Sequence, residues 1–380
     1  MKACSVRWER ESTSLVDLCP NCIIRNHLRV SCHHVVKLLV NIIRNKGGNC
    51  VGVAFIILNW NKPDITIRAI NSIMEHENVA LRGDSIIVVD NNSDYDKKEE
   101  LILFFRKNGW LVIGEEEIPE INFTKPSKVL VLNKGNYGYA KGNNIGLKLA
   151  KRIGYKYAVI MNNDVVIKEP VVDKLLPILK ENEKIAVVGP RVIGPDGKNQ
   201  GPSVKPEGLY YFFFLPLFYP FLYLPNKIYQ LWKKKTLIRM INEEVSRNGF
   251  FITYWVMGCF MLVDIDVLES VGWFDETTFL YVEEAILSEK LSQVGYKMAY
   301  VPLVSVYHEH EVSTVTLGKK RYLVHLKSIL YYFKKYRNYG VIRLWLIKVG
   351  FLYNVFILQP VLMRVKSLLR KLKNNLIQRR

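Results

Sequence analysis

Residues 53–63, which read VAFIILNWNKP, set the pattern for the first half of the chain. Six apolar residues predict a buried strand, and the polar turn after them leads to Pro63, which suits the first turn of a helix. Apolar runs at residues 86–89, 129–132 and 157–161 also lead into polar turns. Strands that alternate with helices predict an α/β fold, with a mostly parallel sheet covered by helices on both faces.

Polar residues follow four of these predicted strands, namely Asn59, Asp90, Asn133 and Asp164. One such residue alone would indicate a turn or a helix cap. Ligands of parallel sheets bind beyond the carboxyl ends of the strands. Four polar strand ends in succession therefore predict a shared pocket.

The charge of the chain is concentrated near its end. The chain has 380 residues, 49% of them apolar, which is enough for a large core, and a net charge of +19. Residues 312–380 contain 16 Lys and Arg and no Asp or Glu, which leaves +3 for residues 1–311. These cations alternate with apolar residues such as Leu326, Ile329 and Phe333. The pattern predicts basic amphipathic helices on an anionic membrane surface, or a basic face packed on the protein's own core. We expect no nucleic acid, because no reading module accompanies the charge.

Two apolar segments are candidates for membrane spans. Residues 209–225 contain three prolines, and residues 349–363 contain Asn354, Gln359 and Pro360. Both are short, and prolines interrupt helices. We therefore expect both to lie in the membrane interface. The alternative for the tail is a hairpin span, and the alternative for the insert is a hydrophobic flap buried in a dimer or in the core.

The first fifty residues contain five of the six cysteines. Cys19, Cys22, Cys32 and His33 are residue types of a zinc site at loose spacing, and the alternative is a poorly packed leader or an extended translation start. No signal peptide is evident, so we expect reduced, cytosolic thiols. We divide the chain into an extension (residues 1–50), an α/β domain (51–312) with an aromatic insert (208–226), and a basic helical tail (313–380).

Several short motifs resemble those of one enzyme family. They are IILNWN at 56–61, VVDNNS at 88–93, the Gly-rich segment 133–146, MNNDV at 161–165, and GWFDE at 272–276 with YVEE at 281–284. In this order they resemble family 2 glycosyltransferases of the GT-A (Rossmann-like) fold, most of all the rhamnosyltransferase-like branch of cell-surface polysaccharide synthesis. The resemblance covers about residues 51–312.

The resemblance implies a site for a nucleotide sugar. Asp90 would accept hydrogen bonds from the base or the ribose, and the alternative is that it caps an Asx turn. The Gly-rich segment would let the backbone approach an anionic group, and it lacks the GxGxxG spacing of a dinucleotide fold. The implied donor-binding residues are Asn59, Asp90, Asn91, Ser93, Asn133, Gly135, Gly138, Asn143 and Asn163.

The resemblance also implies a metal site. Asn162-Asn163-Asp164 is similar to the family's Asp-X-Asp motif with an amide in the first position. Asp164 would bind Mg²⁺ or Mn²⁺ together with the donor's phosphates, with water and phosphate oxygens completing the shell. His308 would lie near the diphosphate or the metal, and a structural histidine is the alternative.

Glu283-Glu284 stands where the family has a Glu-Asp pair. Glu284 would take the proton of the acceptor hydroxyl and Glu283 would bind sugar hydroxyls, although the two roles could be exchanged. Ile286 departs from the family pattern, where many relatives have another Asp. The acceptor side would include Gly258, Trp273 and Asp275.

As a whole, the resemblance implies an inverting, metal-dependent glycosyltransferase. It would move a sugar from a UDP- or dTDP-sugar to a hydroxyl of a glycan or polyprenyl-linked acceptor, in cell-surface polysaccharide or glycoprotein glycan synthesis. We expect a peripheral protein on the cytoplasmic face of the cell membrane. A sugar nucleotidyltransferase is one alternative, but it would have a Gly-rich loop and a basic residue where Asn59-Trp60-Asn61 stands. A non-catalytic carbohydrate-binding relative is another, and the presence of Asp90, Asp164 and Glu284 argues against it.

Overall fold

The computed structural model describes residues 52–206, 208–309, 318 and 320–378, and a ten-stranded sheet organises its part from Val53 to His308. The strands are β1 (Val53–Asn59), β2 (Ser85–Asp90), β3 (Leu111–Gly114), β4 (Lys128–Leu132), β5 (Tyr157–Asn162), β6 (Val165–Ile167), β7 (Ile185–Ile193), β8 (Phe251–Thr253), β9 (Phe260–Asp264) and β10 (Lys297–His308). Their order is β3-β4-β2-β1-β5-β9-β7-β10-β6, with β8 paired to β10. Only β6, β8 and β9, among the described strands, run against the others. The sheet is therefore mostly parallel, as predicted.

Helices cover both faces of the sheet. They are α1 (Pro63–His76), α2 (Val79–Arg82), α3 (Tyr95–Lys107), α4 (Gly138–Ile153), α5 (Val172–Glu181), α6 (Leu215–Leu217), α7 (Tyr219–Asn248), α8 (Ile265–Ser270), α9 (Glu283–Gln293), α10 (Lys320–Lys335), α11 (Val341–Tyr353) and α12 (Gln359–Gln378). Residues of α1, α3 and α5 pack into one hydrophobic cluster and those of α4, α8 and α9 into another. Strands buried on both faces need branched apolar residues throughout, which explains the uninterrupted run in β2. The predicted α/β fold class is confirmed.

The aromatic insert is longer than the predicted segment 208–226. It begins as a π-helical turn (Tyr210–Phe214), continues as α6, and breaks at Phe218 before α7. Proline fits the first turn of a helix, and Pro220 lies in the first turn of α7. Since α7 runs to Asn248, the insert is a helical segment of about twice the predicted length.

The first tail helix packs on the protein itself. Leu326, Ile329 and Phe333 of α10 are at most 5% exposed and belong to a third hydrophobic cluster. They are part of the stripe that the membrane prediction assigned to lipid. For α10, therefore, the alternative prediction of a helix packed on its own protein describes the structure.

The rest of the tail forms one helical stretch. Asn354, Gln359 and Pro360 were expected to interrupt it, but a π-helical turn (Asn354–Leu358) joins α11 directly to α12. Pro360 has no backbone N–H to donate. The π-helical turn before it changes the backbone hydrogen-bond pattern, so that the helix continues past the proline. By length and composition alone, Val341–Lys371 is the one described helical stretch that could cross a membrane. The mean hydropathy of its most apolar 18-residue window is 1.8, and 17% of that window is buried. The proposed zinc residues Cys19, Cys22, Cys32 and His33 lie outside the described residues.

Candidate functional site

The polar strand ends come together at one edge of the sheet. β4, β2, β1 and β5 are neighbours and parallel, so their carboxyl ends align. The register pairs Asn59 with Asp90 and Leu58 with Asn162. Asn133 is attached to the same edge, because its backbone N–H donates to the carbonyl of Asp90 at 3.0 Å.

A cavity of about 680 Å³ opens at this edge. Strand ends form one side of it, and the start of α9 and the tail helix α10 form others. The residues predicted from the sequence that line it are Asn59, Asn91, Gly138, Asn163, Asp164, Gly258, Glu283, Glu284 and His308.

Asp90 does not line the cavity. It is fully buried, and its Oδ1 accepts a hydrogen bond from Asn59 Nδ2 at 2.7 Å. Its Oδ2 accepts one from the backbone N–H of Ser93 at 3.0 Å. Asp90 and Ser93 therefore hold the turn after β2 and orient Asn59, as in the alternative Asx-turn interpretation, instead of facing the cavity.

Asn91 ties the Gly-rich segment to β2. Its Oδ1 accepts hydrogen bonds from Asn133 Nδ2 at 3.1 Å and from the Tyr137 N–H at 3.0 Å, and its Nδ2 donates to the Gly138 carbonyl at 3.0 Å. The predicted residues Asn133, Gly135 and Asn143 are not part of the cavity lining. Asn133 and Gly135 lie in the loop that leads into α4, and Asn143 lies within α4, where its Nδ2 donates to the Tyr139 carbonyl at 3.0 Å.

Two predicted acceptor-side residues also lie away from the cavity. Trp273 packs into the hydrophobic cluster beneath α8 and α9. Asp275 Oδ2 accepts hydrogen bonds from Tyr331 Oη at 2.7 Å and Tyr336 Oη at 2.5 Å, and Lys335 Nζ lies 3.0 Å away. Burial raises the pKa of Asp275, but the hydrogen bonds from Tyr336 and Tyr331 outweigh it and hold the pKa below its usual value. Asp275 therefore anchors the tail to the α/β domain.

Asp164 and His308 form a pair on the donor side of the cavity. His308 Nε2 lies 3.2 Å from Asp164 Oδ1, a buried oxygen that takes no hydrogen bond from the described residues. The Nδ1 of His308 lies 3.1 Å from Gln200 Oε1, which fixes the orientation of the ring. The described residues contain no group of three or more His, Cys, Asp and Glu side chains that could hold a metal. A cation with two protein ligands and phosphate oxygens for the rest fits this pair.

The glutamate pair follows a strained turn. Tyr281 and Val282 have φ of 75° and 73°, a left-handed conformation that is rare for a β-branched residue such as valine. The turn is held from two sides: the Tyr139 N–H donates to the carbonyl of Phe279 at 2.9 Å, and Ser328 Oγ of α10 donates to that of Leu280 at 2.8 Å. The surrounding structure thereby supports a conformation that places Glu283 and Glu284 on the cavity.

Gly258 fixes the position of Glu284. Its N–H donates to Glu284 Oε1 at 3.1 Å, and its carbonyl accepts a hydrogen bond from Tyr139 Oη at 2.6 Å. A Cβ at position 258 would lie 2.2 Å from Glu284 Oε1, so only glycine permits this contact.

Both glutamates lose their solvation in the fold. Burial, and next the charge of Glu284, raise the pKa of Glu283 to about 8. Burial also raises the pKa of Glu284, against the hydrogen bond from Gly258. At neutral pH the two neighbouring carboxyl groups therefore favour sharing one proton over carrying two negative charges.

The tail contributes residues to the site that the sequence pattern did not predict. His325, Ile329, Tyr332 and Phe333 of α10 line the cavity, as does Phe212 of the insert. Their helical spacing was visible, but the same spacing suits a lipid surface and a protein core equally. The sequence of α10 alone could not decide between lipid and protein core, because the surface on which α10 packs is formed by α9 and the insert.

The raised pKa of Glu283 predicts how stability changes with pH. The unfolded group titrates near 4.5, and the folded group keeps its proton to about 8. Its contribution to stability is therefore fully present below pH 4.5 and is lost as the pH rises toward 8. Glu283→Gln cannot lose a proton. It should gain stability over the wild type as the pH rises, by about 1–3 kcal/mol between about pH 5 and pH 8, measured by urea denaturation.

Glu289→Gln is the matched control on the same helix. Hydrogen bonds from Tyr254 and Lys205 outweigh burial and lower the pKa of Glu289, so its contribution is already complete above about pH 5. The stability difference between this variant and the wild type should stay level over the same range. Parallel pH profiles for Glu283→Gln and the wild type would contradict the buried-pair interpretation.

Comparison with known proteins identifies the domain that carries the donor side of the site. The family model described as glycosyl transferase family 2 matches residues 54–241. The match ends before Glu283. The placement of Glu283 and Glu284 at the cavity is therefore supported by the structure and not by the family model.

Two curated relatives and one solved structure are similar to the chain. The N-acetylglucosaminyl-diphospho-decaprenol L-rhamnosyltransferase of Mycobacterium tuberculosis is 25% identical over 177 residues, which are 45% of this chain. The chain thus spans about half of that relative's length, 53%. The rhamnosyltransferase WbbL of Escherichia coli is 26% identical over 214 residues, which cover 54% of this chain and 74% of WbbL. The structure of GalNAc-T7 with UDP, GalNAc and Mn²⁺ aligns with a TM-score of 0.47 and 14% identity, over 69% of this chain and 44% of that one.

The matched region contains the polar strand ends from Asn59 to Asp164, which carry the first four motifs of the predicted resemblance. The motifs at residues 272–276 and 281–284 lie outside it. Both curated relatives are rhamnosyltransferases, in agreement with the predicted branch. The mostly parallel α/β sheet of the structure is consistent with the match to the family model. Residues 54–241 of the chain are therefore a glycosyl transferase family 2 domain.

Proposed function

We propose that the protein is an inverting glycosyltransferase that moves a sugar from a nucleoside diphosphate sugar to a hydroxyl of a glycan or lipid-linked acceptor. The single observation that carries the proposal is that Asp164, His308 and the Glu283–Glu284 pair line one cavity. Cys259, which also lines it, is close enough to Asp164 and Glu284 that both charges add to burial in raising the pKa of its thiol. The cavity would thus bind a diphosphate near Asp164 and His308 and supply a base from the Glu283–Glu284 pair.

The donor would bind at the strand ends. Asn59 and Asn91 line this side of the cavity, and their positions are fixed by Asp90 and by the Gly-rich loop. Asp164 and His308 would hold a divalent cation, Mg²⁺ or Mn²⁺, which when bound would offset the negative charge of the donor's diphosphate.

Glu284 would act as the base. Its carboxylate takes the proton of the acceptor hydroxyl as that oxygen forms a bond to the anomeric carbon. The bond from that carbon to the nucleoside diphosphate breaks, and its electron pair leaves on the phosphate oxygen. A raised pKa improves a carboxylate as a base at neutral pH. In its protonated form, which burial favours, Glu283 would donate a hydrogen bond to a sugar hydroxyl.

The protein would work at a membrane surface, on its cytoplasmic face. α11 exposes Val341 at 82%, Ile342 at 76% and Trp345 at 59%, in a tail without acidic residues. Large apolar side chains beside lysine and arginine favour an anionic bilayer interface. The mycobacterial relative's name refers to a decaprenol-linked substrate, which is a membrane lipid.

The donor assay tests the proposed reaction. Binding of UDP or dTDP with Mn²⁺ should raise the melting temperature of the full chain, and nucleotide sugars should slowly release nucleoside diphosphate. Asp164→Asn should weaken nucleotide binding by at least about tenfold, because the cation and the diphosphate lose a charged ligand. Glu284→Gln should bind nucleotide within about twofold of the wild type and release diphosphate about 10²–10⁴-fold more slowly.

Asp196→Asn is the control, since Asp196 pairs with Lys198 on the surface. It should behave as the wild type in both measurements. The proposal fails if no nucleotide sugar yields nucleoside diphosphate with either metal, or if Asp164→Asn and Asp196→Asn bind nucleotide equally well.

A second prediction concerns the placement of the base. Gly258→Ala should slow diphosphate release about 10²-fold at unchanged nucleotide affinity, because the added Cβ displaces Glu284 from the Gly258 N–H. Gly340→Ala is the matched control, because a Cβ there meets open space. Equal rates for the two alanine variants would show that Glu284 does not depend on this contact.

A third prediction concerns the membrane. The double variant Ile342→Ser with Trp345→Ser should bind vesicles of anionic lipid at least about tenfold more weakly in co-sedimentation, because two exposed apolar side chains are lost. Tyr95→Ser with Leu103→Ser removes side chains that are also exposed, at 77% and 65%, from α3. If both double variants retain wild-type vesicle binding, α11 is not the membrane contact. Substitution is preferable to truncation, since α10 forms part of the cavity.

A further inference from the structure

A buried polar network connects the turn after β2 to the cavity. It consists of Asp90, Asn59, Thr66 and Asn163, and its first three members are fully buried. Thr66 lies near the start of α1, and its side chain has no part in the reaction proposed above. The network ends at Asn163, which lines the cavity next to Asp164. It therefore joins a residue outside the cavity lining to one inside it.

Asp90 fixes the direction of the hydrogen bonds at the far end of the network. Its carboxylate accepts three of them, from Asn59 Nδ2 at 2.7 Å and from the hydroxyl and the backbone N–H of Ser93. A carboxylate has no hydrogen to donate. The amide of Asn59 must therefore present its NH₂ group to Asp90, which directs its oxygen, Oδ1, to the opposite side.

The Thr66 hydroxyl takes its direction from Asn59. Its Oγ1 lies 2.7 Å from Asn59 Oδ1 and 3.0 Å from the carbonyl oxygen of Lys62. A hydroxyl has a single hydrogen, and two oxygens 2.7 Å apart repel each other unless a hydrogen lies between them. The Thr66 hydroxyl must therefore donate to Asn59, which leaves its lone pairs to accept from another donor.

The amide of Asn163 supplies that donor. Its Nδ2 donates to Thr66 Oγ1 at 3.1 Å and lies 3.4 Å from Asn59 Oδ1, so both hydrogens of the NH₂ group point at acceptors. The other atom of the amide, Oδ1, accepts no hydrogen bond from the described residues. Asn163 therefore offers an oxygen, and not an NH₂ group, to a ligand in the cavity.

We propose that Thr66 is a positioning residue of the donor site, which turns the amide of Asn163 so that its Oδ1 accepts a hydrogen bond from a hydroxyl of the nucleoside diphosphate sugar. The proposal rests on the proposed function and assigns how its donor is recognised. An amide oxygen attracts a hydroxyl and repels the oxygens of a phosphate. Asp90, which does not line the cavity, contributes to donor binding through the network.

A double-mutant cycle tests whether Thr66 acts through Asn163. The dissociation constants of UDP, dTDP, UDP-glucose and dTDP-glucose are measured for the full chain with Mn²⁺ by isothermal titration calorimetry. Thr66→Val, which keeps the shape without the hydroxyl, and Asn163→Ala should each weaken binding by about three- to tenfold, as expected for one hydrogen bond. The double variant should bind within about twofold of Asn163→Ala, because Thr66 acts only through the amide.

The four ligands also show where the hydroxyl is. If it belongs to the ribose, both variants weaken the binding of the free diphosphates and of the nucleotide sugars. If it belongs to the transferred sugar, they weaken the binding of the nucleotide sugars alone.

Two further variants separate positioning from a loss of stability. Thr66→Ser keeps the hydroxyl and should restore the affinity to within about twofold of the wild type. Ser72→Ala removes another buried hydroxyl of α1, which donates to the Ala69 carbonyl at 2.7 Å and accepts from the Ile167 N–H at 3.1 Å, outside the cavity lining. This variant should have a lower melting temperature and the wild-type affinity.

Wild-type affinity of Thr66→Val for all four ligands would overturn the proposal. A loss in the double variant that equals the product of the two single losses would also overturn it, since Thr66 would then act independently of Asn163. If the wild type binds none of the four ligands, the proposed function fails instead.

Should Thr66→Val fail to fold, Asp90→Asn completes the same cycle. The new amide can present either its oxygen or its NH₂ group to Asn59, so the direction of the network is no longer fixed. Binding should weaken by about threefold or more, with no further loss when Asn163→Ala is added. Losses that multiply would show that Asp90 contacts the nucleotide directly, which refutes the network.

Discussion

The removal of two neighbouring carboxylates from water is the constraint on which the site depends. Glu283 is buried and Glu284 is half-buried beside it at the start of α9, and two unpaired charges so close together and out of water would be costly. The amino end of the helix, the backbone N–H of Gly258 and a proton shared by the pair reduce this cost. The left-handed turn at Val282 and the absence of a side chain at position 258 follow from this placement.

The insert and tail complete the burial of this pair. α10 supplies Ile329 and Phe333 over the cavity and bonds to the loop before Glu283 through Ser328. Excluding water strengthens the electrostatic interactions of a carboxylate with its surroundings. The tail, which we propose contacts the membrane, thereby also lines the cavity.

Parts of this arrangement were readable from the sequence, and parts were not. The strand ends could be predicted to meet, since parallel strands align their carboxyl ends whatever else the chain does. The direction of Asp90 could not, because an Asx turn and a ligand contact need the same residue at the same place. The apolar stripe of α10 has the same helical spacing whether the helix faces lipid or a protein core. The spacing alone therefore could not predict what the stripe packs against. Asp275 was assigned to the acceptor side by its motif, yet the tyrosines that bind it lie 56 and 61 positions later.

The most direct test of the account is an experimental structure of the full chain with UDP or dTDP and Mn²⁺. The account predicts the cation bound to Asp164 and His308, the diphosphate on that cation, and Glu284 facing the same cavity without contact to the nucleotide. A nucleotide bound outside this cavity, or a cation held by the Glu283–Glu284 pair instead of Asp164, would contradict it.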